Sequence, residues 1–304
     1  MVKFGISSYA NAHAGLYAEV IKALRNAELA AETDFDALLE SDVDVMVICS
    51  ENVYHAEQIL KCAEAGKHVL VDMPIALNEE DARKCVDACK KAGVMFFGGL
   101  CCRHHPAYPA VKAAIPSLGK IVGINAENQG RFVGGWYADK KLAGGGAMMD
   151  HVAHVLDLIR DAMGSEVTRV YASVSDKRFG GDTEDTGVLS LDFENGAFAT
   201  IDCSLSITDS YKTWGTVKAS FVGTEGLVDM DILGQHFDVY SDVDMSAGEE
   251  YWGDDMNTEF MKAVVASVRD GKYYTASGDD CFELCKVIFA AYKSAETGAP
   301  VEIR

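Results

Sequence analysis

Three apolar runs constrain this chain more than anything else in it: Asp42–Cys49 (DVDVMVIC), Lys67–Val71 (KHVLV) and Val94–Gly98 (VMFFG). Their apolar residues are continuous rather than alternating, which marks strands buried on both faces. Asn52–Ala65 and Asn78–Ala92 lie between them and have helical periodicity. Asn78 offers an N-cap, and Glu79, Glu80 and Asp81 suit the positive end of a helix. Val2–Ile6 predicts a further strand upstream, followed by the small and polar residues Ser7-Ser8-Tyr9-Ala10-Asn11. A helix then runs from about Ala12 to Asn26, with Leu16, Val20, Ile21 and Leu24 on one face. Strands alternating with helices specify an α/β fold built on a parallel sheet.

The pattern changes after Leu100. A helix over Tyr108–Ile115 leads to a strand over Lys120–Gln129, and Gly144–Met163 reads as a glycine turn and then a helix. Six strands follow: Val167–Val174, Thr186–Phe193, Ala197–Leu205, Val217–Val222, Gly226–Asp231 and His236–Tyr240. Asn195-Gly196 between two of them is a hairpin signal. Helices over Asp255–Asp270 and Asp280–Thr297 close the chain. The expectation is a parallel-sheet domain over residues 1–100 and an α+β domain over 101–304, with a large, mostly antiparallel open sheet. The last helices are expected to pack back on the first domain. A chain of 304 residues suits two such domains.

Charge narrows the partners. Asp and Glu number 47 against 27 Lys and Arg, a formal net charge of −20. Such a chain repels phosphate backbones and anionic membranes, so neither nucleic acid nor membrane is expected as a partner. No apolar run has the length of a membrane span, and Met1 leads almost directly into a strand with no basic leader. Nine cysteines without a Cys-x-x-Cys pair read as reduced, buried thiols. A cytoplasmic location is the expectation. His105, Asp150, His151 and His154 have no spacing specific to a metal, so none is expected.

Asp150 and His154 carry the clearest chemistry. At i,i+4 both side chains reach one point on a helix face, and a carboxylate beside an imidazole fixes its tautomer and raises its basicity. His151 points elsewhere, and its role is open. Arg131, Trp136 and Tyr137 lie in a glycine-containing loop ahead of Gly144-Gly145-Gly146, and aromatic faces suit either a sugar ring or core packing. Trp214, Tyr251 and Trp252 are weaker candidates of that kind.

Four segments then coincide in order: GISSYANAHA (Gly5–Ala14), SENVYHAE (Ser50–Glu57), GKHVLVDMPIAL (Gly66–Leu77) and GGGAMMDHVAHVLDL (Gly144–Leu158). With the strand-rich second half they resemble the glucose–fructose oxidoreductase/inositol dehydrogenase/MocA (Gfo/Idh/MocA) family. The resemblance covers nearly the whole chain. It implies a Rossmann-like domain binding NAD or NADP, a sheet domain holding a sugar or cyclitol, and hydride transfer between them. It also implies dimers or tetramers formed through the outer face of the second sheet. It makes His154 the proton acceptor beside Asp150. It places the cofactor against Gly5, Ser7, Ser8, Asn11, His13, Asp34, Ser50, Asn52, His55, Asp72 and Pro74. The substrate falls to Arg103, His105, Arg131, Trp136, Tyr137 and His151.

The chain departs from that pattern in three places. The loop Gly5-Ile6-Ser7-Ser8-Tyr9-Ala10 keeps one glycine of the G-x-G-x-x-G that lets a pyrophosphate approach the backbone. Too few residues separate the first strand from Val43, so the helix after the second strand and the third strand are expected to be missing, leaving the first domain truncated. Ala27–Asp34 reads either as a second strand ending in a ribose carboxylate, Asp34 or Glu32, or as a loop into a short helix over Phe35–Glu40; the lack of β-branched residues disfavours the strand. Finally, the family's Glu-Lys-Pro is Asp72-Met73-Pro74 here, and Met supplies neither charge nor donor. These departures leave two alternatives to a dehydrogenase: a cofactor-independent lyase, dehydratase or isomerase acting on a keto-sugar, and a non-catalytic sensor or partner subunit.

Overall fold

The computed structural model describes residues 1–251 and 255–303. Its first sheet holds β1 (Val2–Ile6), β2 (Ala27–Glu32), β3 (Val45–Ile48), β4 (His68–Val71) and β5 (Phe96–Gly98), all parallel, in the order β2-β1-β3-β4-β5. Helices α1 (His13–Ala23), α2 (Phe35–Glu40), α3 (Asn52–Glu64) and α4 (Glu79–Ala92) connect them. All four residues of β3 are buried, as the continuous apolar run requires. Asn78 caps α4 by accepting the Asp81 amide at 2.9 Å.

The stretch after α1 corrects one expectation and sharpens another. Ala27–Glu32 is a strand despite its alanines, because β1 supplies a complete parallel ladder, with Val2 opposite Ala27 and Ile6 opposite Glu32. Tertiary pairing overrides the weak local preference. The helix expected to be missing is present as the two short turns of α2. No strand lies beyond β2 among the described residues, so the sheet is short at that edge. Asp34 does not reach the strand's end as a free carboxylate; it caps α2, accepting the Ala37 amide at 3.1 Å. Glu32 occupies the last position of β2 instead.

The second half contains α5 (Ala107–Ala114), β6 (Ile121–Glu127), α6 (Lys140–Ala143), α7 (Ala147–Met163), β7 (Val167–Ser175), β8 (Thr186–Phe193), β9 (Phe198–Asp202), β10 (Lys218–Gly223) and β11 (Leu227–Asp231). The hairpin β12 (His236–Ser241) and β13 (Ser246–Tyr251) follows, then α8 (Met256–Asp270), α9 (Gly278–Thr297) and β14 (Val301–Glu302). The large sheet runs β11-β10-β6-β9-β8-β7-β14 and is antiparallel except between β6 and β9. The strand expected in that sheet at His236–Tyr240 is β12, which among the described residues pairs with β13 in a separate ribbon. The side chain of Tyr251 and all of Trp252 lie outside what the structure describes. Helix α8 packs on α1, and α9 packs on α4, α7 and β7, so the last helices touch both halves.

Arg103, expected at the substrate, is committed to this packing. Its guanidinium forks onto Asp157 of α7 with two bonds of 2.6 Å, and reaches Asp280 of α9 at 3.1 Å. Asp157 is fully buried, so its charge needs that partner. His105 is likewise buried, its Nδ1 accepting the Ala107 amide and its Nε2 meeting Gln235 at 2.7 Å. Both histidine and arginine therefore hold elements together rather than open onto a cleft. Replacing Arg103 with Leu should lower the free energy of unfolding by about 3–5 kcal/mol, because it leaves Asp157 buried and unpaired; urea denaturation followed by circular dichroism measures it.

Candidate active site

Ligands of parallel sheets sit at the carboxyl ends of the strands. Here that edge is formed by the loops after β1, β3, β4 and β5. The loop after β1 is braced internally: the Asn11 amide donates to the Cys49 carbonyl at 3.0 Å, Ser8 Oγ accepts the Ala10 amide, and Asn11 Oδ1 accepts the His13 amide at 2.9 Å to start α1. Ser7 Oγ is buried with no hydrogen-bond partner. A buried hydroxyl at the foot of a helix, on the strand-to-helix turn, suits an anionic group. Glu32 stands at the end of β2, bonded to the Tyr9 hydroxyl and to Lys22 Nζ at 3.2 Å. The residues present fit a dinucleotide: an unpaired hydroxyl where a pyrophosphate approaches, and a carboxylate at the strand end where a ribose is held.

Other expected cofactor residues divide by burial. His55 is fully enclosed, Nδ1 2.7 Å from the Pro74 carbonyl and Nε2 2.9 Å from the Ser50 carbonyl. It ties two loops together, and burial lowers its pKa. Ser50 Oγ is bonded to Gln58, and Asn52 donates to the Ala143 carbonyl at 2.9 Å. Asn52 nonetheless lines a cavity of about 20 Å³ with Arg131, Tyr137, Asp150 and Gly146, room for about one water. A larger cavity, of about 960 Å³, is lined by Gly144, Met149, Glu184 and Tyr292 among others, and not by Asp150 or His154.

Helix α7 presents the chemistry. Gly146, the residue before it, faces the Glu184 carbonyl so closely that a Cβ would come within 1.9 Å. The Ala147 amide donates to that same carbonyl at 2.8 Å, which pins the helix start. Asp150 does not pair with His154 as the spacing suggested. Its Oδ2 lies 2.9 Å from Nε2 of His151, while His151 Nδ1 faces the Asn128 carbonyl at 3.0 Å. A carbonyl only accepts, so Nδ1 carries a proton, and the carboxylate draws a second onto Nε2. Burial opposes the charge on both, but the pairing outweighs it, raising His151 and lowering Asp150. The adjacent residue, set aside on helical geometry, is thus the one that holds the carboxylate. Gly130 makes the room: a Cβ there would lie 1.7 Å from His151 Cε1.

His154 is the odd one out. Its Nδ1 is buried and unpartnered, and burial, with positive charge at His13 and His151, lowers its pKa to about 4. It is a neutral imidazole at neutral pH. Trp214 stands edge-on to both His151 and His154, with ring centroids 6.2 and 6.3 Å away. Across the cleft, Asp72 after β4 accepts from His13 Nδ1 at 3.3 Å and from the Tyr17 hydroxyl at 3.2 Å. The turn at residues 135–138 closes over this space. Trp136 Nε1 donates to the Ala10 carbonyl at 3.0 Å, and Tyr137 stacks on Trp136 at 3.9 Å. Arg131 donates to the Tyr211 carbonyl and has a buried, unpartnered Nε. Tyr17 and Asn128 carried no signal in the sequence, since an interior tyrosine and a strand-end asparagine look the same whether or not they brace a histidine.

The parallel sheet with its strand-edge loops and the open sheet carrying α7 are the two halves of a Rossmann-type oxidoreductase, and the comparisons with known proteins agree. Residues 4–100 match the family description "Oxidoreductase family, NAD-binding Rossmann fold", and residues 110–229 match the GFO/IDH/MocA C-terminal domain. The chain belongs to the Gfo/Idh/MocA family of NAD(P)-dependent oxidoreductases of sugars and cyclitols. It is 28% identical to the Thermotoga maritima myo-inositol 2-dehydrogenase over 291 residues, 91% of this chain and 84% of that protein. It is also 28% identical to the Bacillus subtilis oxidoreductase YrbE over 284 residues, 88% of this chain and 80% of that protein. The structure of GenD2 from gentamicin A biosynthesis, in complex with NAD, superposes with a TM-score of 0.89 at 24% identity, covering 100% of this chain and 96% of that one.

Replacing Gly130 with Ala should push the His151 ring off Asp150. The expected result is a stability loss of about 1–3 kcal/mol and a fall in the His151 titration midpoint, both read by NMR-monitored titration and thermal denaturation.

Proposed function

We propose that this protein oxidises a secondary hydroxyl of a sugar or cyclitol, and reduces the corresponding ketone, with His154 as the group that takes and returns the hydroxyl proton. One observation carries this reading: His154 is a half-buried, neutral imidazole whose Nδ1 is buried and unpartnered, set among groups that bear fixed charge. A neutral imidazole accepts a proton without first losing one. The bound nicotinamide dinucleotide supplies the hydride chemistry. Ser7 and the loop amides would hold its pyrophosphate, and Glu32 its ribose. Asp150, fixed by His151, keeps negative charge beside His154 and favours its protonated form as the hydroxyl proton arrives.

Calorimetric titration with NADH and NADPH, and an assay against myo-inositol, scyllo-inositol, D-glucose and D-xylose, test the reading. Binding of one of the two nucleotides, and reduction of its oxidised form, NAD+ or NADP+, by one of these polyols, are the expected results. Turnover of a 3-keto sugar with no nucleotide added or retained would instead favour a lyase. His154→Ala should lower kcat at least about 100-fold while leaving the nucleotide dissociation constant within a few-fold.

We also infer a homo-oligomer formed through the second sheet. Tyr171, Val188, Phe198, Val222 and Leu227 project from the face opposite α7 and are exposed in the single chain. Such an apolar surface marks a contact site. Phe198→Arg should shift the protein from dimer or tetramer to monomer in light scattering after gel filtration. A wild-type chain already monomeric at micromolar concentration would remove this inference. The nine buried cysteines favour a reducing compartment.

A further inference from the structure

The family lysine is Met73 in this chain, and Met73 is buried with no donor to offer. A reacting oxygen that gains negative charge as its proton leaves needs a positive donor close by. One stands at the start of α1, bonded to the residue before Met73. We propose that His13, braced by Asp72, is the cationic hydrogen-bond donor to the reacting oxygen, in place of the absent lysine. This rests on the oxidoreductase reading above.

The geometry is specific. His13 opens α1, and its side chain is about a third exposed, close enough to Asp150 and His154 of α7 for their charges to act on one another. Its Nδ1 is taken by Asp72 Oδ1 at 3.3 Å, so Nε2, on the opposite side of the ring, is the donor left for a ligand. The Tyr17 hydroxyl holds the same carboxylate oxygen at 3.2 Å. Gly99 after β5 keeps the space: a Cβ there would fall 2.6 Å from Asp72 Oδ1. Asp72 is buried, and besides the Tyr17 hydroxyl it meets the uncharged Cys49 thiol, so the carboxylate depends on His13 for its countercharge. The titratable groups around His13 are Asp72 after β4, Tyr17 on α1, Cys101 after β5, and Asp150 and His154 on α7. A helix N-terminus disfavours a cation, so it is Asp72, not α1, that stabilises the charge. Burial would lower the His13 pKa, but Asp72 outweighs it and raises it to about 9.

The sign follows. The folded value lies above the ordinary histidine value of about 6.5, so the ring is charged below about pH 9 and loses its donor charge as pH rises through that value. The stabilisation from the His13–Asp72 pair is complete below about pH 6.5 and disappears over the same alkaline range.

Two measurements on the full chain decide it. In histidine-detected NMR, with the His13 signal assigned by its loss in His13→Asn, the expected midpoint is near 9 and falls to about 7 or lower in Asp72→Asn. In steady-state kinetics with NAD and myo-inositol, or the polyol the panel selects, His13→Asn should lower kcat about 100-fold with the NADH dissociation constant unchanged within about threefold. Adding Met73→Lys to His13→Asn should recover at least about tenfold and move the alkaline limb of the pH profile upward. A wild-type midpoint below about 7 overturns the proposal, as does a folded His13→Asn variant within about threefold of wild-type kcat. If the wild type neither binds NADH nor oxidises any polyol, the functional reading fails and takes this proposal with it. If the wild type turns over and His13→Asn matches it, the proposal alone fails.

Discussion

Two carboxylates held against histidines organise this site. Asp72 is buried, and an ionised carboxylate there requires a positive partner, which His13 supplies. Asp150 is half-exposed and pairs with His151, which is itself buried. The two imidazoles are thereby held charged, and their positive fields help keep His154 neutral. One cleft thus contains three histidines in two protonation states. Separated titration behaviour of this kind distinguishes proton acceptors from charge stabilisers. It arises from position alone, since the three side chains are chemically identical.

The nucleotide half shows a similar economy of change. The glycines missing from the first loop are replaced by Ser7 and Ala10, small enough to leave the loop's turn intact. The retained Gly5 answers to packing as well: a Cβ there would lie 2.8 Å from Leu38 of α2. The shortening after β2 removes sheet at the edge away from β3, and leaves the carboxyl ends of β1, β3, β4 and β5 in register. The loss therefore falls outside the edge where a dinucleotide lies, which is why a chain short in this half retains a site that fits one.

The fold was largely legible because its signals are periodic. Continuous apolar runs gave the buried strands, and the capping residue Asn78 marked a helix start within a residue. The strand at Ala27–Glu32 was not legible, since its stability comes from the ladder to β1 and not from its alanines. The site was legible in its residue types and much less in its pairings. Helical spacing joined Asp150 to His154, yet the hydrogen bond goes to His151, because the Asn128 carbonyl and the gap at Gly130 come from a different strand. Arg103 looked like a substrate ligand for the same reason: sequence cannot show that Asp157 and Asp280 converge on it from two helices. Spacing within one element is visible in a sequence, and convergence between elements is not.

Convergence is also what couples stability to chemistry here. Arg103 joins the segment after β5 to α7 and α9, while Asp72 after β4 and His13 on α1 belong to the first sheet. His154 rides on α7, one turn before the residue Arg103 holds. The distance between the charged His13 and the neutral His154 therefore depends on how the two halves are clamped, by the arginine fork at one end and by the Trp136 bond to Ala10 at the other. A small shift of α7 would alter the field that keeps His154 neutral before it broke any bond in the site. The buried ion network around Arg103, one turn along α7, thereby helps to set the proton affinity of His154.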